Sequence, residues 1–221
     1  MGRTSRPRWA RSKDGCMDAF RLLRPLVLAS GSPRRKGFLE SMGLKVEVCP
    51  ASGGEPKPEP GEDPAAFTRR CAVFKARLVL AGLAARADSP AILSADTSVV
   101  FRDGGRVRIL GKPKDDEEAF SMLSLLSGRT HSVVTACCLI CNGREEVFHD
   151  EAHVTFRCWP PEVLRSYVCS GDCNDKAGAY SIQGKGAFLA REIKGAWSTV
   201  VGLPLDMVMS RLLIAKIAAP A

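Results

Sequence analysis

Two β-branched segments joined by a two-residue turn constrain this chain more than any other feature. "HSVVTACCLIC" (131–141) runs into Asn142-Gly143, and "EEVFHDEAHVTF" (145–156) follows. Val, Ile and Thr suit a pleated surface, and Asn-Gly is the strongest short signal for a tight antiparallel turn. A hairpin in mid-chain excludes a purely parallel, doubly wound sheet. Upstream, strand-like runs alternate with helical patterns, as in parallel strands joined by crossovers. Together they predict an α/β fold, a mixed twisted β-sheet with helices packed around it.

The remaining elements fall around that hairpin. A strand at 26–29 leads through "ASGSPRRK" (29–36) into a helix to about Met42, with Gly43 past its end. A strand at 44–49 and a Pro/Gly/Glu loop come next. Asp63-Pro64 reads as cap and first residue of a long helix, with Phe67, Cys71, Phe74 and Leu78 as its apolar stripe. "AILSADTSVVF" is a strand that turns at "RDGG" into "RVRILGKP". Asp115 and Glu118 form a capping box for a helix over 115–127. Pro160-Pro161 opens a helix to about Val168. The glycine-rich "DKAGAYSIQGKG" precedes a strand at 187–193, and "GLPLDMVMSRLLIAKIA" closes the chain with an amphipathic helix.

Charge is unevenly placed. The formal net charge is +8, but seven basic and two acidic residues lie within 1–24, which leaves +3 for the remainder. The basic character therefore belongs to an N-terminal extension over 1–24, expected to be disordered, ahead of a single domain over 25–221. The clustered cations and stacking aromatics of a nucleic-acid binder are lacking, so no nucleic-acid partner is expected. No apolar run approaches the ~20 residues that span a bilayer, so no membrane is expected either. The extension lacks the long apolar stretch of a secretory signal. Nine cysteines, an odd number, then fit reduced thiols in the cytoplasm.

The cysteines and histidines do not form a metal site. Cys138 and Cys141 are three apart in a strand and so face opposite ways. His149 and His153 share a face but lie ~13 Å apart at ~3.3 Å per residue. Cys169 and Cys173 frame "CSGDC" without a matching partner pair.

Chemistry is expected where local rules are broken. "ASGSPRRK" puts three cations in a first helical turn, the end that favours acids. A strand–turn–helix with free backbone N–H groups is a ready anion site. Ser30 and Ser32 add hydroxyls, and Arg34 and Arg35 add fork-shaped donors that suit phosphate. The alternative is a solvated basic turn in which Ser32 only caps. Asp96 stands in mid-strand, where a buried carboxylate is costly unless paired or metal-bound. It reads as a metal ligand or a base toward water, or else as a strand-end cap. Thr97 points to the other face. Lys112 and Glu55 are weak signals alone, and Lys75 reads by itself as a snorkelling helix residue. Gln183 carries both a donor and an acceptor, enough to read a pyrimidine edge. The "GKG" after it lacks the spacing of a phosphate-binding Walker loop.

Taken in order, "LASGSPRR", "KA" at 75–76, "ADTSVV", "GKP", "MLSLLSGRTHSVVTA", "DKAGAYSIQG" and "VVGLPL" resemble the Maf family of nucleoside triphosphate pyrophosphatases over about 26–215. The resemblance implies a Maf/ITPase-like catalytic domain of two lobes with a cleft. It implies hydrolysis between the α- and β-phosphates, to a monophosphate and pyrophosphate, with Mg²⁺ or Mn²⁺. By resemblance, Asp96 accepts the proton of the attacking water, and Glu55 and Asp96 hold the metal. Ser30, Ser32, Arg34 and Arg35 hold the triphosphate, with Lys75 and Lys112 beside it. Arg34, Thr97 and Gln183 occupy the positions that mark the dTTP/UTP-preferring branch, as against the branch acting on 7-methyl-GTP; modified pyrimidine nucleotides are further candidates. One departure stands out: the family usually has a second acid just before the Glu of the Pro-rich loop, and here Gly53-Gly54 precede Glu55. The family often forms homodimers, for which the C-terminal helix offers a surface, core packing being its other use. The competing reading is a nucleotide-binding, non-catalytic regulator of cell division.

Overall fold

A computed structural model describes residues 18–221. Its strands are β1 (Phe20–Leu22), β2 (Leu26–Leu28), β3 (Glu47–Val48), β4 (Ala91–Asp103), β5 (Arg106–Leu110), β6 (Thr130–Cys141), β7 (Arg144–Phe156), β8 (Ala190–Lys194) and β9 (Ala218–Pro220). Its helices are α1 (Pro33–Ser41), α2 (Pro64–Gly82), α3 (Asp116–Leu126), α4 (Pro161–Cys169), α5 (Trp197–Val201) and α6 (Leu205–Ile214).

The sheet is mixed, as the hairpin requires. Its order is β3-β2-β4-β6-β7-β8, with β5 also on β4. β2 is parallel to β3 and β4, while β4, β6, β7 and β8 are successively antiparallel. The β6–β7 ladder is unbroken from Thr130↔Thr155 to Cys141↔Arg144. Asn142 and Gly143 both have positive φ, 51° and 72°, the geometry that matches the twist of the flanking strands.

One irregularity of this sheet matters for function. β6 lines one edge of β4 from Ile92 to Val100. The other edge is shared: β2 takes Ala91–Leu93 and β5 takes Val99–Asp103. Among the described residues, 94–98 have no strand partner on that edge. The sheet is split there, at the carboxyl end of β2, where ligands of open α/β sheets bind.

Period-two alternation feeds separate cores on the two faces. Val27, Ile92, Ala136 and Cys138 pack against Ala72, Ala76 and Val79 of α2. Leu26, Leu28, Leu93 and Leu139 pack on the opposite face against Leu39 of α1 and Val208, Met209 and Leu212 of α6. A third cluster joins Val99, Phe101, Val133 and Phe156 to α3 and α4. The C-terminal helix therefore supplies the chain's own core. Cys138 and Cys141 do fall on opposite faces, in different clusters.

Several expectations need correction. The strand at 44–49 shrinks to Glu47–Val48, because Leu44 and Val46 pack into the core without pairing. The strand at 187–193 begins only at Ala190, since Gly184–Leu189 forms 3₁₀ turns. In α2 the buried line is Phe67, Cys71, Ala72, Ala76 and Val79, while Phe74 and Leu78 are half-buried. The extension is not disordered throughout: Phe20–Leu22 pairs with β9, and Leu23 N donates to Ile217 O. Residues 1–17 lie outside the described residues. Helix α5 and strand β9 had no sequence forecast. Among the described residues no helix is long and apolar enough to cross a membrane.

Candidate active site

A cavity of about 580 Å³ opens at the split in the sheet. Ser30, Ser32, Arg34, Arg35, Glu55, Lys75, Asp96, Thr97, Lys112 and Gln183 all line it. Residues from six separate segments are thus brought together. Five lining cations (Arg34, Arg35, Lys75, Lys112, Lys176) face three acids (Glu55, Asp96, Asp175), so the cavity favours a polyanion.

The turn after β2 leaves its helix end open. Ser32 sits at the cap position before Pro33, but its hydroxyl makes no capping bond, and the first turn holds no acid. The leading N–H groups and the positive end of the helix dipole therefore have neither a capping hydroxyl nor a first-turn acid. The reading of Ser32 as only a cap does not hold.

The two arginines of this turn differ. Arg35 Nε donates to Gly202 O at 2.8 Å; Nη1 donates to Ser30 Oγ and Ala95 O, both at 2.8 Å; Nη2 donates to Thr97 Oγ1 at 3.1 Å. Four of its five N–H groups are engaged by protein. Arg35 therefore ties α1 to β4 and to the loop after α5, where sequence reasoning expected chiefly a phosphate ligand. Burial lowers its pKa, the Asp96 charge opposes this, and the guanidinium stays protonated. Ser30 Oγ accepts from Arg35 and, at 3.3 Å, from Ser32 N, which leaves its O–H to donate outward. Thr97 Oγ1 also meets Thr135 Oγ1 at 2.9 Å, and Thr135 Oγ1 donates to Thr199 O at 2.8 Å. Thr97 thus contributes by holding Arg35. Arg34, like Lys112, makes no hydrogen bond or ion pair among the described residues.

On the other face of β4, Ser94, Asp96 and Ser98 look toward α2. Ser94 Oγ donates to Ala72 O at 2.6 Å, and Ser98 Oγ meets Thr68 Oγ1 at 2.8 Å. That register sets Asp96 beside Lys75, whose Nζ donates to Asp96 Oδ1 at 2.6 Å and pairs with Glu55 Oε1 at 2.9 Å. Burial pushes the Lys75 pKa down, but the Asp96 charge and hydrogen bonds to both acids outweigh it, so the ammonium stays charged. Burial likewise disfavours ionised Glu55, yet Lys75, with Lys112 and Arg35 farther off, holds its pKa below the usual value. Lys75 is not a snorkelling surface residue; it pins two carboxylates. Asp96 is in mid-strand and caps nothing.

These two carboxylates are the oxygen donors available for a divalent cation. Asp96 Oδ2 has no protein hydrogen-bond partner among the described residues. Hard oxygen donors beside this turn suit a hard divalent cation, which takes carboxylates together with water and phosphate oxygens.

Sequence reasoning did not single out Lys176, Asp175, Tyr180 and Ser181, which also line the cavity. Lys176 Nζ donates to Asp175 Oδ1 at 2.6 Å. The glycine-rich "DKAGAYSIQG" carried the signal for all four.

An α/β protein is thus defined in which, among the described residues, an uncapped helix end, a cation-rich cavity and an embedded carboxylate meet at a split in the sheet. The model of the Maf-like protein family matches residues 25–214, and the chain belongs to that family. It is 46% identical over 195 residues to a dTTP/UTP pyrophosphatase of Nitratidesulfovibrio vulgaris, covering 88% of this chain and 89% of the relative. It is 41% identical over 199 residues to a dTTP/UTP pyrophosphatase of Lawsonia intracellularis (87% and 84% covered). A third so named, from Alcanivorax borkumensis, is 42% identical over 187 residues (85% and 93% covered).

Proposed function

We propose that this protein is a nucleoside triphosphate pyrophosphatase acting on dTTP and UTP. The observation that carries the reading is Asp96, a carboxylate in the split of the sheet, held on one oxygen by Lys75 and surrounded by cations. The names of the relatives support the same substrates.

The triphosphate lies along the turn after β2, on the N–H groups of α1, the Ser30 and Ser32 hydroxyls and the Arg34 guanidinium. Lys112, exposed and without an ion pair among the described residues, takes the far phosphates. Gln183 reads the base edge. Lys75 fixes Asp96 through Oδ1, so Oδ2 takes the proton of a water aimed at phosphorus. Phosphoryl transfer needs positioning and charge neutralisation more than covalent chemistry, and this residue set supplies both. A divalent cation held by Asp96 and Glu55 would supply further charge neutralisation at the phosphates. Eight free cysteines among the described residues suit a reducing compartment such as the cytoplasm.

With Mg²⁺ or Mn²⁺, purified protein should release pyrophosphate from dTTP and UTP. Asp96→Asn should lose turnover while keeping its circular dichroism. No release above background from a nucleotide panel overturns the function, and an active Asp96→Asn overturns the assigned base.

A further inference from the structure

We infer that Tyr167, which lies outside the cleft, is a positioning residue for nucleobase selection, because its hydroxyl pins the segment that carries Gln183. The inference rests on Gln183 as the base reader.

Tyr167 is on α4 and is 4% exposed. Its hydroxyl accepts from Ser181 N at 3.1 Å and donates to Asp172 Oδ2 at 3.0 Å. One oxygen therefore ties Asp172, just ahead of the cavity-lining stretch, to Ser181 within it. On one side, Asp172 Oδ1 lies 3.9 Å from Lys176 Nζ. On the other, Ser181 Oγ accepts from Gln183 N at 3.3 Å. The path from Tyr167 to Gln183 runs through a single residue.

The packing leaves this hydroxyl little freedom. A Cβ at position 186 would fall 2.6 Å from it, so Gly186 allows the close approach. The ring sits edge-on to Phe188, centroids 6.0 Å apart. Burial raises the phenol's pKa, so it stays a neutral donor and acceptor. The stretch it holds needs such a tie. Gly178 and Ala179 both have positive φ, 69° and 58°, and regular strand pairing resumes only at Ala190. Base discrimination depends on polar groups held in place, since a displaced amide no longer matches the base edge.

Tyr167→Phe keeps the ring and deletes the oxygen, leaving the Ser181 N–H without its acceptor. Steady-state kinetics with UTP, and inhibition by inorganic triphosphate as a probe with charge but no base, separate the roles. The expected result is about a tenfold fall in kcat/KM for UTP, mostly in KM, the size of one lost hydrogen bond. The inhibition constant of inorganic triphosphate should stay within about twofold. Gln183→Ala should behave likewise, and the double variant should be no worse than Gln183→Ala. If Tyr167→Phe melts lower but keeps its kcat/KM, or weakens UTP and inorganic triphosphate alike, the inference is overturned while Gln183 stands. If Gln183→Ala leaves UTP kinetics unchanged, the base-reading assignment falls and the inference with it. A double variant that loses a further tenfold also overturns it, because Tyr167 would then act independently of Gln183.

Discussion

Adjacent arginines in one turn should respond oppositely to the same substitution. Arg35→Met removes four hydrogen bonds from a charged donor. Two of the acceptors are backbone carbonyls, Ala95 O in β4 and Gly202 O in the loop after α5. Each orphaned group costs about 1–3 kcal/mol, and breaking an enclosed charged network costs about 3–5 kcal/mol in all. A loss of about 4 kcal/mol is therefore expected, a large part of the roughly 5–15 kcal/mol that holds a domain together. At about 2–4 °C per kcal/mol for a chain of this size, the melting temperature should fall by about 8–16 °C. Arg34→Met removes no hydrogen bond or ion pair among the described residues, so its stability should stay within about 0.5 kcal/mol of the parent. Its kcat/KM for UTP should fall by roughly 10²–10³, as when one donor to developing charge is removed. Urea unfolding at neutral pH and pyrophosphate release measure the two effects. A near-native stability for Arg35→Met, or equal destabilisation by both substitutions, would refute the division of labour.

Other outcomes follow from groups away from the turn. His131 Nε2 meets Tyr180 Oη at 2.9 Å while its buried Nδ1 has no partner among the described residues, and burial lowers its pKa to about 4. Its unfolded value is about 6.5, so the unfolded chain takes up the proton first as pH falls. About 3 kcal/mol of stability should be present above pH ~6.5 and lost on descending toward pH ~4. Unfolding midpoints across that window should fall steeply for the parent and less for His131→Phe; equal slopes would count against the assignment. Burial pushes the thiols of Cys71, Cys137 and Cys138 up to about 12, whereas Cys158 and Cys169 are exposed. Peptide mapping after brief alkylation of native protein should therefore find label on Cys158 and Cys169 before those three; labelling of Cys137 at a comparable rate would contradict the buried placement.

Local signals made much of this fold legible. Asn142-Gly143 fixed a hairpin because two successive positive φ values are cheap only for such residues. Asp63 caps α2 through Ala66 N, and Asp115 caps α3 through Glu118 N, as their spacing forecast. The capping box is slightly displaced, since Glu118 accepts from Lys114 N. The failures were non-local. Phe20–Leu22 is a strand only because the far end of the chain returns beside it. Leu44 and Val46 look like strand residues, yet they fill the core, and apolar patterning alone does not separate burial from pairing.

For the site, the sequence by itself determined the inventory: a cation-rich turn after a strand, a carboxylate in mid-strand, and a glycine-rich segment ending in Gln183. Each violates a local preference, and that made it visible. What only the tertiary structure decided is the role of each member. Arg34 and Arg35 are chemically identical and adjacent, but Arg35 meets acceptors supplied by β4 and the loop after α5, and Arg34 meets none among the described residues. Lys75 gains its meaning from Asp96, 21 residues away, and from Glu55, 20 residues away. Hydrogen bonds and ion pairs depend on separations of about 3 Å. Separation in sequence does not encode such distances; the split edge of β4, which only the assembled sheet creates, does.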